Sequence, residues 1–201
     1  MSRGTWRLRA PILGVFALLV LAGCADSTPQ VPAAPPPSPT IPAAQVKIFA
    51  PASTTVSRTV HGSCWTSSIT VAASSAYRCY AGNTILDPCF AAAPTAREVS
   101  CYADPWASAV RVLLSAALPK AAPLAVTHPW ALELANGKRC VAATGVVTRL
   151  GTVALLYRCE HGGSASAPTT QHGHTQVQYV PPGSRAPVAV PVTVTWQALR
   201  H

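Results

Sequence analysis

The 201-residue sequence predicts a mainly β fold, at most α+β with one or two short helices, built as a single disulfide-braced domain on a Pro-rich tether. Three observations carry that expectation. From Val46 onward, β-branched and aromatic residues recur in short runs broken by Gly, Pro and Ser, the pattern of strands separated by turns. Trp130, Leu132 and Leu134 alternate with Ala131 and Glu133 and lead into Asn136-Gly137, a strand entering a tight hairpin. Past Cys24 there remain six cysteines, Cys64, Cys79, Cys89, Cys101, Cys140 and Cys159, an even set suited to cross-linking short elements in an exported protein.

Taken in order, residues 46–50 and 54–60 read as strands, and 68–73 as a third strand or a short helix. The segment 106–118 is spaced like a helix, but Pro105 and Pro119 bound it closely and Val110 and Val112 suit a strand; the strand is the preferred reading. After 130–134, Asn136-Gly137 offers the positive φ angles of a type I′ turn, and 138–143 returns. A second hairpin joins 145–150 to 152–159 across Gly151. Residues 175–180 and 188–196 close the domain, with Pro187 and Pro191 confining the last strand to an edge or a bulge. No internal repeat is evident.

The N-terminus predicts where this domain works. Arg3, Arg7 and Arg9 precede an apolar run over 11–21 that ends in Leu21-Ala22-Gly23-Cys24. That run is about half of the roughly 20 residues a spanning helix needs, so 1–23 is expected to be a cleaved signal peptide. The tetrapeptide is a lipobox. Its small residues let the backbone enter a peptidase, and the Cys24 thiol can take a diacylglyceryl thioether with palmitate-type chains; an ordinary secretory signal with an incidental Cys24 is the rival. Two or more acyl chains hold a protein on a membrane where one does not. The expected localisation is therefore the cell membrane, lipid-anchored on the extracytoplasmic face. Residues 24–45 follow as the lipidated cysteine and tether, with Pro29, Pro32, Pro35, Pro36, Pro37, Pro39 and Pro42 in one run. Proline removes amide donors and fixes φ, favouring polyproline II, which at about 3.1 Å per residue reaches about 65 Å. Residues 46–201 remain as the extracytoplasmic domain, enough for a core of its own.

Removing residues 1–23 takes three arginines from the chain's fifteen Lys and Arg, leaving twelve against six Asp and Glu, so the net charge of +9 becomes +6. The excess is spread thinly. It favours loose contact with anionic lipids or wall polymers, or marks a solvated surface with no partner. Nucleic acid is not an expected partner outside the cell.

Six cysteines allow fifteen connectivities, and spacing alone does not choose among them. Sequential pairing is the preferred one, Cys64 with Cys79, Cys89 with Cys101 and Cys140 with Cys159, because each pair brackets one hairpin or loop. Structural zinc sites bring cysteines together at C-x(2 to 4)-C spacing, which this chain lacks, and it has no C-x-x-C redox motif.

The segments Gly62-Ser63-Cys64-Trp65-Thr66-Ser67-Ser68, Tyr77-Arg78-Cys79 and Ile85-Leu86-Asp87-Pro88-Cys89-Phe90 resemble a group of secreted lipoproteins from actinobacteria, mycobacteria included. The resemblance continues through Trp130-Ala131-Leu132-Glu133-Leu134, Gly137 before Cys140, and Tyr157-Arg158-Cys159. It implies a wall-facing accessory domain and extracellular placement, and it implies no activity. Read physically, Trp65 and Phe90 would lay aromatic faces over the neighbouring disulfides. Asp87-Pro88 would open a turn whose carboxylate accepts backbone amides; Asp87 as a functional carboxylate facing Arg78 is the weaker reading.

No catalytic constellation stands out. A glycosidase needs two carboxylates roughly 5 to 9 Å apart, and among Asp87, Glu98, Asp104, Glu133 and Glu160 context marks no pair, with Glu133 expected to point outward. The G-x-S-x-G elbow of a serine hydrolase is missing. His161, His172 and His174 lie in a polar loop and are weak candidates for holding Zn²⁺ or Cu²⁺; solvated imidazoles are the commoner case, and no cofactor is expected. The favoured function is non-catalytic binding of an envelope component, with a cell-wall polymer or an envelope protein as partner. The alternatives are a wall or glycan enzyme with a site assembled from distant residues, and structural display with neither binding nor turnover.

Overall fold

A computed structural model of the chain describes residues 42–51, 55–120, 122 and 124–198. The segment expected to be a signal peptide, Cys24 and the expected tether up to residue 41 lie outside the described residues. Those described belong to one unit, Pro39–His201, and contain no α-helix; Glu160–Gly162 is a single 3-10 turn. No helix among them is long and apolar enough to cross a membrane.

Two closed sheets make up the fold. Strands β2 (Val56–Ser67), β3 (Ala76–Ala81), β4 (Thr84–Phe90), β5 (Glu98–Cys101) and β6 (Ala109–Leu114) form the first barrel. Its neighbours are antiparallel except at the seam, where β6 runs parallel to β2. The second sheet takes β1 (Gln45–Phe49), β7 (Ala131–Leu134), β8 (Arg139–Ala142), β9 (Thr148–Leu150), β10 (Val153–Cys159), β11 (Ser164–Ser166), β12 (Thr169–Gln171), β13 (His174–Val180) and β14 (Val188–Ala198). Pairing runs β14-β7-β8-β10-β11-β13 and returns from β13 to β14, closing a second ring, with β1 parallel to β14 on the outside.

All three disulfides follow the sequential pairing. Each joins residues that face one another in register: Cys64 and Cys79 across β2 and β3, Cys89 and Cys101 across β4 and β5, Cys140 and Cys159 across β8 and β10. Each barrel thus has a Tyr-Arg-Cys strand bonded to its neighbour, a correspondence that the different loop lengths hide in the sequence. Half of the buried residues in the first barrel's core are cysteines. The sulfurs of Cys79, Cys89 and Cys101 lie within 4.8 Å of one another, so its two disulfides pack together, with Tyr77, Val99 and Val112 around them.

A second core fills the other barrel and extends into the junction, joining Trp130, Leu132, Tyr157, Val177 and Val192 to Val71, Phe90, Tyr102 and Ala109 of the first. Phe49 of β1 sits where they meet, its ring centroid 4.8 Å from Tyr102, 5.0 Å from Trp130 and 5.9 Å from Phe90. Such edge and tilted contacts add to simple burial.

Several local expectations change. The Asn136-Gly137 hairpin is not type I′. Only Gly137 has positive φ and its N–H donates to the Leu134 carbonyl, so a type I turn is followed by a left-handed glycine. A two-residue hairpin link with two successive positive φ values is found instead at His172 and Gly173, between β12 and β13. Residues 68–73 are neither strand nor helix, whereas 109–114 is the strand preferred over a helix. The last strand is central rather than an edge, pairing with β13, β7 and β1, and the irregularity that Pro191 called for appears as a register shift between Val192 and Val194. Trp65 and Phe90 do not cap the disulfides, because adjacent residues on a strand face opposite ways. Cys64 points in and Trp65 out, while Phe90 enters the junction core.

Gly62 of β2 is where backbone packs tightest. A Cβ there would run into the Tyr80 carbonyl and approach Val112 Cγ1 to 2.9 Å, and neither the strand nor the buried valine can give way cheaply. Gly62→Ala is expected to cost about 1 to 3 kcal/mol, as overpacking does. Calorimetric melting checks it, and an unchanged Tm would refute the contact.

Candidate functional site

Among the described residues, a cleft of about 380 Å³ opens between the barrels. From the first barrel come Arg58 of β2, residues 84–87 of β4 and Val110 of β6; from the second come Val141 and Ala142 of β8, Ala143, Thr144 and Arg158 of β10. Arg58 lies opposite Val110 in register and Arg158 opposite Val141. Leu86, Val110, Val141 and Ala142 make an apolar floor, and the two exposed arginines form its rim. Neither Arg58 nor Arg158 has a salt bridge among the described residues. The Arg158 guanidinium lies beside Gly145, 3.7 Å from where a Cβ would stand.

Behind this wall is the Asp87 carboxylate, with no exposed side-chain surface. Its Oδ1 accepts from Ser68 Oγ at 2.5 Å and Thr70 Oγ1 at 3.1 Å, and its Oδ2 accepts the Ile69 N–H at 3.2 Å. The expected acceptance of backbone amides is therefore met, although Asp87-Pro88 lies inside β4, across a cis peptide bond, instead of opening a turn. Arg78 Nε is 3.9 Å from Oδ2. The same guanidinium donates to the Thr144 carbonyl of the second barrel and lies 5.5 Å from the Trp65 ring centroid. Burial raises the Asp87 pKa above the ordinary 3.8; its hydrogen bonds and the Arg78 charge pull downward without overcoming it.

Glu133 is on β7 and, as expected, outside the barrel, but it is engaged. Its Oε1 accepts Trp196 Nε1–H at 2.9 Å and Trp106 Nε1–H at 3.3 Å, with Lys47 Nζ at 3.8 Å. Lys47 lies over the Trp196 ring and Arg139 over that of Trp106. Trp106 comes from the β5–β6 connection and Trp196 from β14, so this cluster fastens the first barrel to the second. Burial alone would raise the Glu133 pKa; the two indoles, Lys47 and Arg139 outweigh it and hold the carboxyl below its ordinary value.

The other predicted residues scatter. Glu98 pairs with Arg111 at an exposed site, Asp104 accepts the Trp106 backbone N–H, and Glu160 is exposed at the 3-10 turn. Among the described residues, the one group of three metal-type ligand atoms within 4.8 Å of each other is Cys79, Cys89 and Cys101, already oxidised in disulfides. His161, His172 and His174 do not converge; His172 belongs to a hairpin turn, and His174 Nδ1 is buried without a hydrogen-bond partner. Cys24 lies outside the described residues.

No protein-family profile matches this sequence, and neither does a curated protein or a solved structure.

Proposed function

We propose that this chain is a lipid-anchored extracytoplasmic protein of the actinobacterial lipoprotein type, acting as a non-catalytic binding module that captures an anionic envelope component in the inter-barrel cleft. The observation that carries the binding half is the pair of unpaired guanidiniums over an apolar floor. Buried or rim arginines without an internal acid are suited to carboxylate and phosphate ligands. Of the five candidate carboxylates, Asp87 is engaged by Ser68, Ile69 and Thr70 and Glu133 by two indoles, which disfavours both as the acid pair of a glycan enzyme. The anchoring half rests on the lipobox and the proline run.

Both halves are testable on native material. Mass spectrometry of the N-terminal peptide is expected to find a diacylglyceryl thioether on Cys24, and an unmodified residue would remove the anchor. Wall polymer and extracted envelope lipids, each incubated with the protein, are expected to give retention by at least one of them without released fragments. That retention should fall in Arg58→Gln/Arg158→Gln. Release of fragments that disappears with Asp87→Asn or Glu133→Gln would favour the enzyme instead, and no retention by either fraction would end the binding reading.

A further inference from the structure

We infer that the ligand of this cleft is an anionic lipid, its oxyanion head held between Arg58 and Arg158 and its hydrocarbon chain lying along Leu86, Val110 and Val141. The inference rests on the reading of the cleft as the binding site and adds the chemistry of what fills it.

The head follows from charge. Arg58 and Arg158 stand on opposite walls, one from each barrel, and neither meets a carboxylate among the described residues. The one acid at the wall, Asp87, is fully buried and already supplied with three donors, so it does not neutralise them. Guanidinium forks match the planar or tetrahedral oxygens of carboxylate and phosphate, and two forks facing one gap suit a single head.

The tail follows from the surface beneath and beside that head. Leu86, Val110 and Val141 are half-buried, the first two against the first barrel's core, and an inorganic anion or a sugar phosphate would leave their remaining apolar surface against water or a polar group. The apolar surface also continues out of the cleft. Ile85 lines it and is 49% exposed, Tyr80 is its register partner on β3 and is 45% exposed, and the 43% exposed Trp65 ring lies 5.8 Å from Tyr80. Large exposed apolar side chains arranged contiguously mark an interaction surface, whereas scattered ones do not. Floor and ledge adjoin where Leu86 and Ile85 both line the cleft beside a cationic rim, and the cleft volume of about 380 Å³ falls within the range of small-molecule sites.

The full chain, purified in a maltoside detergent, is titrated calorimetrically with octyl phosphate, inorganic phosphate and octanol. Octyl phosphate is expected to bind at least about tenfold more tightly than either fragment, and Arg58→Gln/Arg158→Gln to weaken it about tenfold or more, the effect of losing charge-assisted hydrogen bonds. Both arginines are exposed and free of salt bridges, so the variant should fold as the parent does, and matching melting curves confirm that. Inorganic phosphate binding as tightly as octyl phosphate would reduce the site to an anion rim. Octanol binding as tightly would reduce it to an apolar groove, and unchanged affinity in the variant would place the head elsewhere. Any of these, or no binding of octyl phosphate, overturns the lipid assignment. If arginine-dependent retention on wall polymer persists at the same time, the binding module stands and only its ligand class falls.

Discussion

Asp87→Ala is expected to destabilise the protein by about 3 kcal/mol, at the lower end of what removing one partner of a buried charged pair costs. Three donors lose their acceptor at once, the hydroxyls of Ser68 and Thr70 and the Ile69 amide, and the Arg78 guanidinium that reaches across to Thr144 loses its countercharge. The loop 68–73 has no ladder of its own, so this carboxylate is what fixes it against β4. Chemical denaturation gives the magnitude, and a loss under about 1 kcal/mol would mean that water replaces the carboxylate without difficulty. The pH dependence gives a second, independent reading. Because burial raises the folded-state pKa above 3.8, the native state holds more protons than the unfolded chain between those two values. Stability from this group therefore falls as pH rises through that window and stays reduced above it. Glu133, held below its ordinary value, has the opposite slope: its contribution is present above the unfolded pKa and is lost as pH falls through the folded one. Comparing wild type with Asp87→Asn across the acid range isolates the Asp87 slope, which should vanish in the variant.

The sequence was most legible where one short pattern fixes one element. Alternation from Trp130 to Leu134 places a strand, and each cysteine pair brackets a single turn, so local spacing reaches as far as the disulfides. It fails where long-range packing decides. Nothing in residues 106–118 tells that Trp106 will reach Glu133, 27 residues on, or that Trp196 will meet it there from the last strand. Local preference puts a type I′ turn at Asn136-Gly137, yet the two positive φ values fall at His172-Gly173, where strands β12 and β13 have to meet after two residues. The cleft was invisible for the same reason. Arg58 and Arg158 are a hundred residues apart and look like any dispersed surface charge until two barrels form and both residues come to line one cleft. A useful signal was nevertheless present in Tyr77-Arg78-Cys79 and Tyr157-Arg158-Cys159. The same three residues recur on β3 and β10, and in each the arginine is the outward position between two inward ones. That repetition, read as a mark of two related strands, would have pointed to two barrels and to the arginines flanking Thr144.

Removing the two disulfides of the first barrel is expected to unfold that barrel, whereas removing the one in the second leaves a folded but weaker protein. In the chain-entropy account, closing loops of 15, 12 and 19 residues is worth about 3 kcal/mol each, so the entropic term barely separates them. Packing does. Of the eight buried residues that the described chain places in the first barrel's core, four are Cys64, Cys79, Cys89 and Cys101, and their disulfides rest on each other. Taking both away removes the cross-links and hollows the core together, a combined loss comparable with the whole stability of a typical domain, about 5 to 15 kcal/mol. Cys140 and Cys159 instead lie beside Trp130, Leu132 and Tyr157, a core with large side chains of its own. Cys140→Ala/Cys159→Ala should therefore stay folded with Tm lowered by roughly 6 to 12 °C. Hydrogen exchange read segment by segment distinguishes the cases. The variant lacking all four first-barrel cysteines should lose protection across β2 to β6, and with it the Arg58 wall of the cleft, while equal protection of the two barrels in that variant would show that the sulfur cluster is dispensable.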